Sequence, residues 1–455
     1  MKHFDLIIIG SGSGNSIISP ELDDWDIAMV ESSVWGGTCL NRGCIPSKML
    51  VYAADIAELA RSGPALGVNT QFAGADWSAI RDRVFSRIDP IAAGGRSYRI
   101  DECENVSVFE QHAVFVGLKQ LKVGDEVITA DRFVLAAGAH AHVPEIDGLD
   151  TVPFHTSDSI MRIDAIPERL TILGGGFIAS ELGHVFGALG SDVTIVNRSD
   201  RLLRAEDSDV SRVFTERMAE RFNVHLDSPV RTVAQKPGGE IVVSISSAGH
   251  ENEISGDTLL VATGRTPNGA DLGVTETCVE LDQAGHVVVD EHGQTSVEGI
   301  WALGDITNPN QLKHTANAEA RVVAHNLAHP DDLASADLRY TPHAVFGSPQ
   351  VASVGPTEAM LVDAGTPYRS VVRYYRDAAY GWAMEDTTSL VKLIADPTGE
   401  HLLAAHIVGP QASTLIQQLI MGMAMDISIE DMARGHLYIH PALPEVIEQA
   451  LLEFG

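Results

Sequence analysis

Two glycine-rich turns constrain this chain more than any other feature. The first lies in DLIIIGSGSGN, residues 5–15, and the second in LTILGGGFIAS, residues 170–180. Each follows an apolar run and precedes a stretch able to start a helix. Each then leads to a second apolar run, DIAMVE at 26–31 and DVTIVN at 192–197. Strands buried on both faces read as continuous apolar runs. A glycine turn between such a strand and a helix start lets the backbone approach a pyrophosphate. The expected fold class is therefore α/β, with two Rossmann-like dinucleotide-binding domains and a further α+β region.

The size fits that reading. A chain of 455 residues exceeds the length at which one hydrophobic core keeps growing, and its length suggests about three domains. With 45% hydrophobic residues it has the apolar content of a folded protein rather than a disordered one. Acidic residues outnumber basic ones by 62 to 31, a formal charge of −31. Such a surface repels nucleic acid and anionic membranes, so neither is an expected partner. The N-terminal MKHFDLIIIG is too short, and too broken by Asp5, for a secretory leader. No apolar run approaches the roughly 18 residues of a spanning helix; LIQQLIMGMAMDISI, residues 415–429, is broken by Gln417, Gln418 and Asp426. The expected compartment is the cytosol, where structural disulfides are rare.

Between the turns, Ser107 to Asp131 alternates polar and apolar residues and predicts an antiparallel meander. RFVLAAGAHAHVPEIDG, residues 132–148, predicts a strand running into a Pro/Gly-rich connector. The same order returns after the second turn in residues 240–268. GIWALGDI, residues 299–306, predicts a short strand, with a helix from about Thr315 to Ala328. From about Asp331, alternating strands mix with two helical segments, a pattern that suits an appended α+β domain.

In the first turn, Gly10 permits the tight bend and Gly12 the close backbone approach, with Gly14 beside them. Asn15 stands at the third position of the G-x-G-x-x-G pattern. Glu31 closes the next strand about 20 residues on, where an acid meets a ribose diol. In the second turn the glycines are Gly174 and Gly176, and Ala179 fills the third position. The following strand ends in Asn197 where an NAD-binding fold carries an acid. Arg198 follows at once, and Arg204 lies a little further on. Two guanidiniums without a carboxylate suit a 2′-phosphate and favour NADPH over NADH; the plainer reading is a pair of solvated surface arginines.

GGTCLNRGCIPSK, residues 36–48, holds two of only four cysteines. Cys103 and Cys278 are isolated and have no histidine at a metal-like interval, so a zinc site is disfavoured and no metal is expected. A staple across so small a loop gains little closure entropy in a reducing compartment. Redox exchange fits better. Cys44 opens a helix reading IPSKMLVYAADIAELA, where the helix dipole lowers a thiol pKa, and Lys48 adds a positive charge one turn later.

These stretches resemble the flavoprotein disulfide reductases, the family that includes glutathione reductase, mercuric reductase and dihydrolipoamide dehydrogenase. The resemblance covers essentially the whole chain. It rests on GSGSGN, the cysteine stretch, GGGFIASE, ATGRTPN, WALGDI and HPALPE, in family order. It implies that FAD occupies the first nucleotide site and NADPH the second. The implied organisation is an FAD-binding domain over 1–148, an NADPH-binding domain over 149–270, a second FAD or central segment over 271–335 and a dimerisation domain over 336–455.

Residue by residue, the resemblance makes Cys44 the flavin-proximal thiol and Cys39 the interchange thiol that attacks substrate. Lys48 would lie near the flavin with Glu181 as its ion-pair partner; otherwise Glu181 is a plain helix-surface carboxylate. Gly37, Thr38, Gly138, Gly304 and Asp305 would contact FAD, and Gly264 the nucleotide-binding region. Phe177 stands where an aromatic gate covers the flavin in glutathione reductase-like members, with ordinary packing as the alternative. His440, oriented by Glu445, would be the general acid, reaching the cysteines of a partner subunit in a homodimer with a shared active site. Within the family the chain looks most like the branch that reduces mycothiol disulfide, from GSGSGN, the MLVYAA helix and HPALPEVIEQALL. A glutathione or γ-glutamylcysteine-type disulfide is the next expectation, then a dihydrolipoamide dehydrogenase subunit of a multienzyme complex. A flavin-binding sensor would need no general acid.

Overall fold

The apolar runs on either side of the glycine turns become parallel strands at the centre of two sheets. The computed structural model describes residues 1–247 and 249–455. In the first sheet, Lys2–Ile9 lies between Ile27–Val30 and Glu126–Leu135, parallel to both. Its inner residues Leu6, Ile7 and Ile8 are fully buried, as a strand covered on both faces requires. Ile300–Ala302 joins the same sheet, parallel to the end of Glu126–Leu135. This places Gly304 and Asp305 beside the strand ends that carry the first glycine turn. In the second sheet, Asn223–His225, Asp192–Val196, Arg169–Leu173 and Thr258–Val261 are all parallel. A three-stranded antiparallel sheet, Val230–Gln235, Ile241–Ser247 and His250–Gly256, adjoins it.

Three expectations change. The stretch after the first glycine turn forms only a 3-10 turn, Gly14–Ser16, and another over Pro20–Leu22. β-branched Ile17 and Ile18 followed by Ser19 and Pro20 are weak helix material, and a proline breaks the hydrogen-bond ladder. The second turn opens a full helix, Phe177–Leu189. The meander is also shorter than expected. Val106–Phe109 pairs parallel with Ile27–Val30, and only Ala113–Gly117, Gln120–Val123 and Glu126–Leu135 run antiparallel.

The C-terminal region is a five-stranded antiparallel sheet in the order His343–Val345, Val351–Val354, Leu402–Val408, Leu390–Ala395, Arg369–Tyr374. It carries five short helices among the described residues where two were expected. Side-chain caps start two of them: Thr357 accepts from the Met360 N–H and Ser428 from the Asp431 N–H. The strand Leu390–Ala395 is buried along its whole length, so it does not alternate. Its Lys392, 1% exposed, ends among Asp207, Asp209 and Glu358 at 2.9, 2.8 and 2.6 Å. That cluster ties this sheet to the loop and helix after Arg204.

The cysteine helix, Cys44–Ser62, is fixed by packing. Its buried Leu50, Val51, Ala54 and Ala57 share one core with Leu182, Val185, Phe186 and Leu189 of the helix after the second glycine turn. Each large aliphatic side chain so buried contributes about 1.5–3 kcal/mol. The helix Trp77–Ser97, begun by the Asp76 side chain accepting from the Ala79 N–H, supports it with Trp77, Val84, Phe85 and Ile88. Both nucleotide-binding units therefore hold the cysteines in place.

Candidate active site

A cleft of about 470 Å³ runs from the first glycine turn to the cysteine helix. Gly10, Gly12, Glu31, Gly138, Gly304 and Asp305 line it, together with Gly37, Thr38, Cys39, Cys44, Lys48, Phe177 and Glu181. The bare backbone is sterically required. Gly10 has φ +107°, and a Cβ there would stand 2.3 Å from the Ala136 carbonyl oxygen. A Cβ on Gly37, at φ +69°, would stand 2.7 Å from Gly12 Cα. Two glycines back to back leave a smooth floor on which a dinucleotide backbone can lie. Gly14 does the close-packing work of a third glycine, since its Cβ would lie 2.9 Å from Ala136 Cβ and 3.0 Å from Ile8 Cγ2. Asn15 accordingly serves elsewhere, its side chain accepting from Arg99 Nε at 2.9 Å.

Glu31 is locked at the far end of this turn. Oε2 accepts from the Ser11 N–H at 2.9 Å and the Ser11 hydroxyl at 2.7 Å, and Oε1 from the Ser33 N–H at 2.8 Å. Asp305 sits near Arg265, with burial pushing its carboxyl up from the ordinary range. The donor set suits FAD, with an acid for the ribose end and open glycine backbone for the phosphates.

At the other end, Cys39 lies on the short helix Gly37–Arg42 and Cys44 opens the next helix. Gly43 joins them where a Cβ would be 2.9 Å from the Thr38 carbonyl oxygen. The two thiols are electronically unlike. Cys44 is drawn down to about 7, first by the hydrogen bond from Cys39 and then by the Lys48 charge, against the opposing effect of burial. Cys39 is pushed up, because it holds the shared proton beside the Cys44 sulfur and is itself buried. In the reduced pair the negative charge is thus favoured on Cys44 and the proton on Cys39.

Lys48 and Glu181 come together across two units. Lys48 Nζ lies 2.6 and 2.7 Å from the two Glu181 oxygens. Glu181 is 4% exposed, which removes the surface-carboxylate alternative, and also accepts from the Phe346 N–H at 3.0 Å. Phe177 is the first residue of its helix and stands half exposed at the cleft.

The glycines of the second nucleotide turn do not line this cleft, although Phe177, directly after Gly176, does. Gly174 has φ +123° with its Cβ position blocked by the Ala262 carbonyl oxygen at 2.3 Å; Gly176 caps the helix Phe177–Leu189, and Gly264 has φ +120°. Asn197 is turned inward. Its amide donates to the carbonyls of Ser199 and Arg201 at 3.2 and 2.8 Å, and it packs on Gly175. It shapes the loop rather than facing a ligand. Arg198 and Arg204 are exposed on that loop and form no ion pair among the described residues, which leaves two cations free for a phosphate.

His440 and Glu445 meet each other, with Nδ1 to Oε1 at 2.7 Å, and Glu445 also accepts from the Ala442 N–H at 3.0 Å. Those bonds, the one to His440 first, lower the Glu445 carboxyl. The His440 side chain is 73% exposed and does not line the cleft of its own chain. Cys103 sits by Arg99, and Cys278 is exposed at φ +66°. Sequence reading passed over Lys313 and Phe346, which reach the site through contacts distant in sequence and lie in no recognisable spacing, and it quoted ATGRTPN without singling out its Arg265.

Comparison with known proteins agrees with this geometry. Residues 4–321 match the pyridine nucleotide-disulphide oxidoreductase model and residues 341–451 its dimerisation domain. The chain is 42% identical to mycothione reductase of Mycobacterium tuberculosis, over 99% of each chain. It is 32% identical to dihydrolipoyl dehydrogenase of Haloferax volcanii, over 98% of this chain and 95% of that one. The HOCl-induced flavoprotein disulfide reductase RclA from Escherichia coli superposes with a TM-score of 0.84 at 25% identity, covering 98% of this chain and 99% of that one. The chain belongs to the pyridine nucleotide-disulphide oxidoreductase family. It is a flavoprotein disulfide oxidoreductase whose cofactors are FAD and a pyridine nucleotide, and it carries a dimerisation domain. No helix of the described residues is long and apolar enough to cross a membrane.

Proposed function

We propose that this family member reduces mycothiol disulfide to two molecules of mycothiol through the Cys39–Cys44 pair, with His440 of a partner subunit as general acid. The observation that carries the reading is the 42% identity to a mycothione reductase along essentially the full length of both chains. The first glycine turn and Glu31 would hold FAD, which when bound would supply the electron pair drawn from NADPH.

The chain's own residues then do thiol chemistry. The Cys39 sulfur, its proton passed to the imidazole of the partner subunit's His440, attacks one sulfur of the substrate. A Cys39–substrate disulfide forms and the substrate's S–S bond breaks. The departing thiolate takes a proton from the imidazole of the partner subunit's His440, which Glu445 orients through its 2.7 Å bond. The Cys44 thiolate, held near neutrality by Cys39 and Lys48, next attacks Cys39 Sγ. That step forms the Cys39–Cys44 disulfide and expels the second half of the substrate as a thiolate, which takes a proton from solvent, so two electrons leave the protein for each disulfide reduced. The Lys48–Glu181 pair keeps a cation fixed beside Cys44 throughout.

NADPH oxidation by the purified protein, with mycothiol disulfide, glutathione disulfide and lipoamide compared side by side, tests the substrate. A kcat/KM for mycothiol disulfide at least about tenfold above the others is expected. Preference for another disulfide would overturn the substrate and leave the thiol relay standing.

A further inference from the structure

The two glycine turns present different electrostatics to a phosphate. The second opens a 13-residue helix, whose aligned peptide dipoles place positive charge at its start. The first opens only the three-residue turn Gly14–Ser16, which aligns too few peptides to do so. Yet the first turn lies in a chain of net charge −31, and a dinucleotide's pyrophosphate carries two negative charges at neutral pH. Some other positive charge is required there.

Lys313 is the side chain placed to supply it. It is the first residue of the helix Lys313–Ala328, and its Nζ donates to Ser13 Oγ, inside the first glycine turn, at 2.8 Å. Four lysines and arginines line the cleft. Arg42 pairs with Asp158 at 3.5 Å, Lys48 with Glu181 at 2.6 Å and Arg265 with Asp305 at 4.0 Å. Among the described residues, Lys313 alone of the four has no carboxylate within 4.0 Å. Its charge is felt at Asp305 and Cys39, favouring their ionised forms, so the ammonium lies within the cleft. Glu31, the nearest acid of the turn, is already bound to Ser11 and Ser33 at the opposite end.

We propose that the Lys313 ammonium binds the FAD pyrophosphate at the first glycine turn, taking the place of the absent helix terminus. Lys313 is then a cofactor-anchoring residue contributed from a segment 300 positions away from Ser13. The inference rests on FAD as the cofactor and is independent of the disulfide reduced.

FAD release from the purified holoenzyme tests it, read as the recovery of flavin fluorescence on dilution over a range of NaCl concentrations. Lys313→Met should release FAD roughly 10–100-fold faster than wild type, as expected for a lost charge-assisted hydrogen bond. Its release should also be less sensitive to salt. Lys313→Arg should keep near-wild-type release, because it keeps the charge. The flavin midpoint potential of Lys313→Met should match wild type, since the cation addresses the phosphates. Wild-type release from Lys313→Met would overturn the proposal, as would an equal loss in Lys313→Arg. A shifted midpoint potential with unchanged release would place the cation at the flavin ring instead and overturn it too.

Discussion

The cysteine end and the histidine end of the active site are built in opposite ways. Cys39, Cys44, Lys48 and Glu181 interlock within one chain, on three helices of which the two longer ones share a core, and Glu181 is 4% exposed. His440 is held by Glu445, which is itself fixed only by the nearby Ala442 N–H, and the imidazole is 73% exposed. The first set has its chemistry fixed before any partner arrives. The second has an oriented imidazole with nothing of its own chain to act on. The general-acid role proposed for this oriented but solvent-facing imidazole requires that another surface cover it, and residues 341–451 match a dimerisation domain. Exposed Leu437 and Ile439, at 95% and 77%, flank the same loop.

Variants can separate the two ends. Cys39→Ser should have the largest effect, lowering NADPH-dependent disulfide turnover by roughly 10⁴-fold or more while NADPH still bleaches the flavin absorbance. Normal turnover by this variant would remove the cysteine end from the mechanism. His440→Gln should follow, with kcat down by about 10²–10⁴-fold and flavin reduction by NADPH unchanged in stopped-flow traces. If flavin reduction slowed equally, the histidine would belong to the hydride side. Arg198→Ser with Arg204→Ser touches neither end, and should raise KM for NADPH by roughly 10–100-fold while leaving that for NADH within about twofold. Parallel losses with both nucleotides would deny the arginines a 2′-phosphate. The smallest effect is in pH. Alkylation of Cys44 in the reduced protein should rise through an apparent pKa near 7, because the group deprotonates as pH rises through that value. Lys48→Met should move the midpoint upward, and an unmoved midpoint would show that Cys39 alone sets it.

The same contrast explains what was legible in the sequence. Apolar runs, glycine turns and the cysteine helix are local patterns, and the strands Lys2–Ile9 and Arg169–Leu173 fall where those patterns end. The missing helix after Gly14 was written in Ile17, Ile18, Ser19 and Pro20, but the glycine motif carried more weight in the reading. The helix Trp77–Ser97 was passed over, although Asp76 caps it. In the C-terminal region, Leu390–Ala395 is buried on both faces because Lys392 meets three acids from other elements, and no alternation survives to be read. Lys313 was invisible for a similar reason, since its meaning comes from Ser13, far away in the chain. Asn197 looked like a site residue by position and turned out to spend its amide on its own loop.

The claim that the two ends meet only between chains has a direct test. Cys39→Ser and His440→Gln chains, each inactive alone, would be coexpressed with different tags and the hybrid dimer isolated through both. One of its two sites would then combine an intact cysteine pair with an intact histidine. The account predicts that the hybrid recovers about half the wild-type disulfide reductase activity. A hybrid as inactive as its parents would contradict it, and would mean that each chain must supply both ends of its own site.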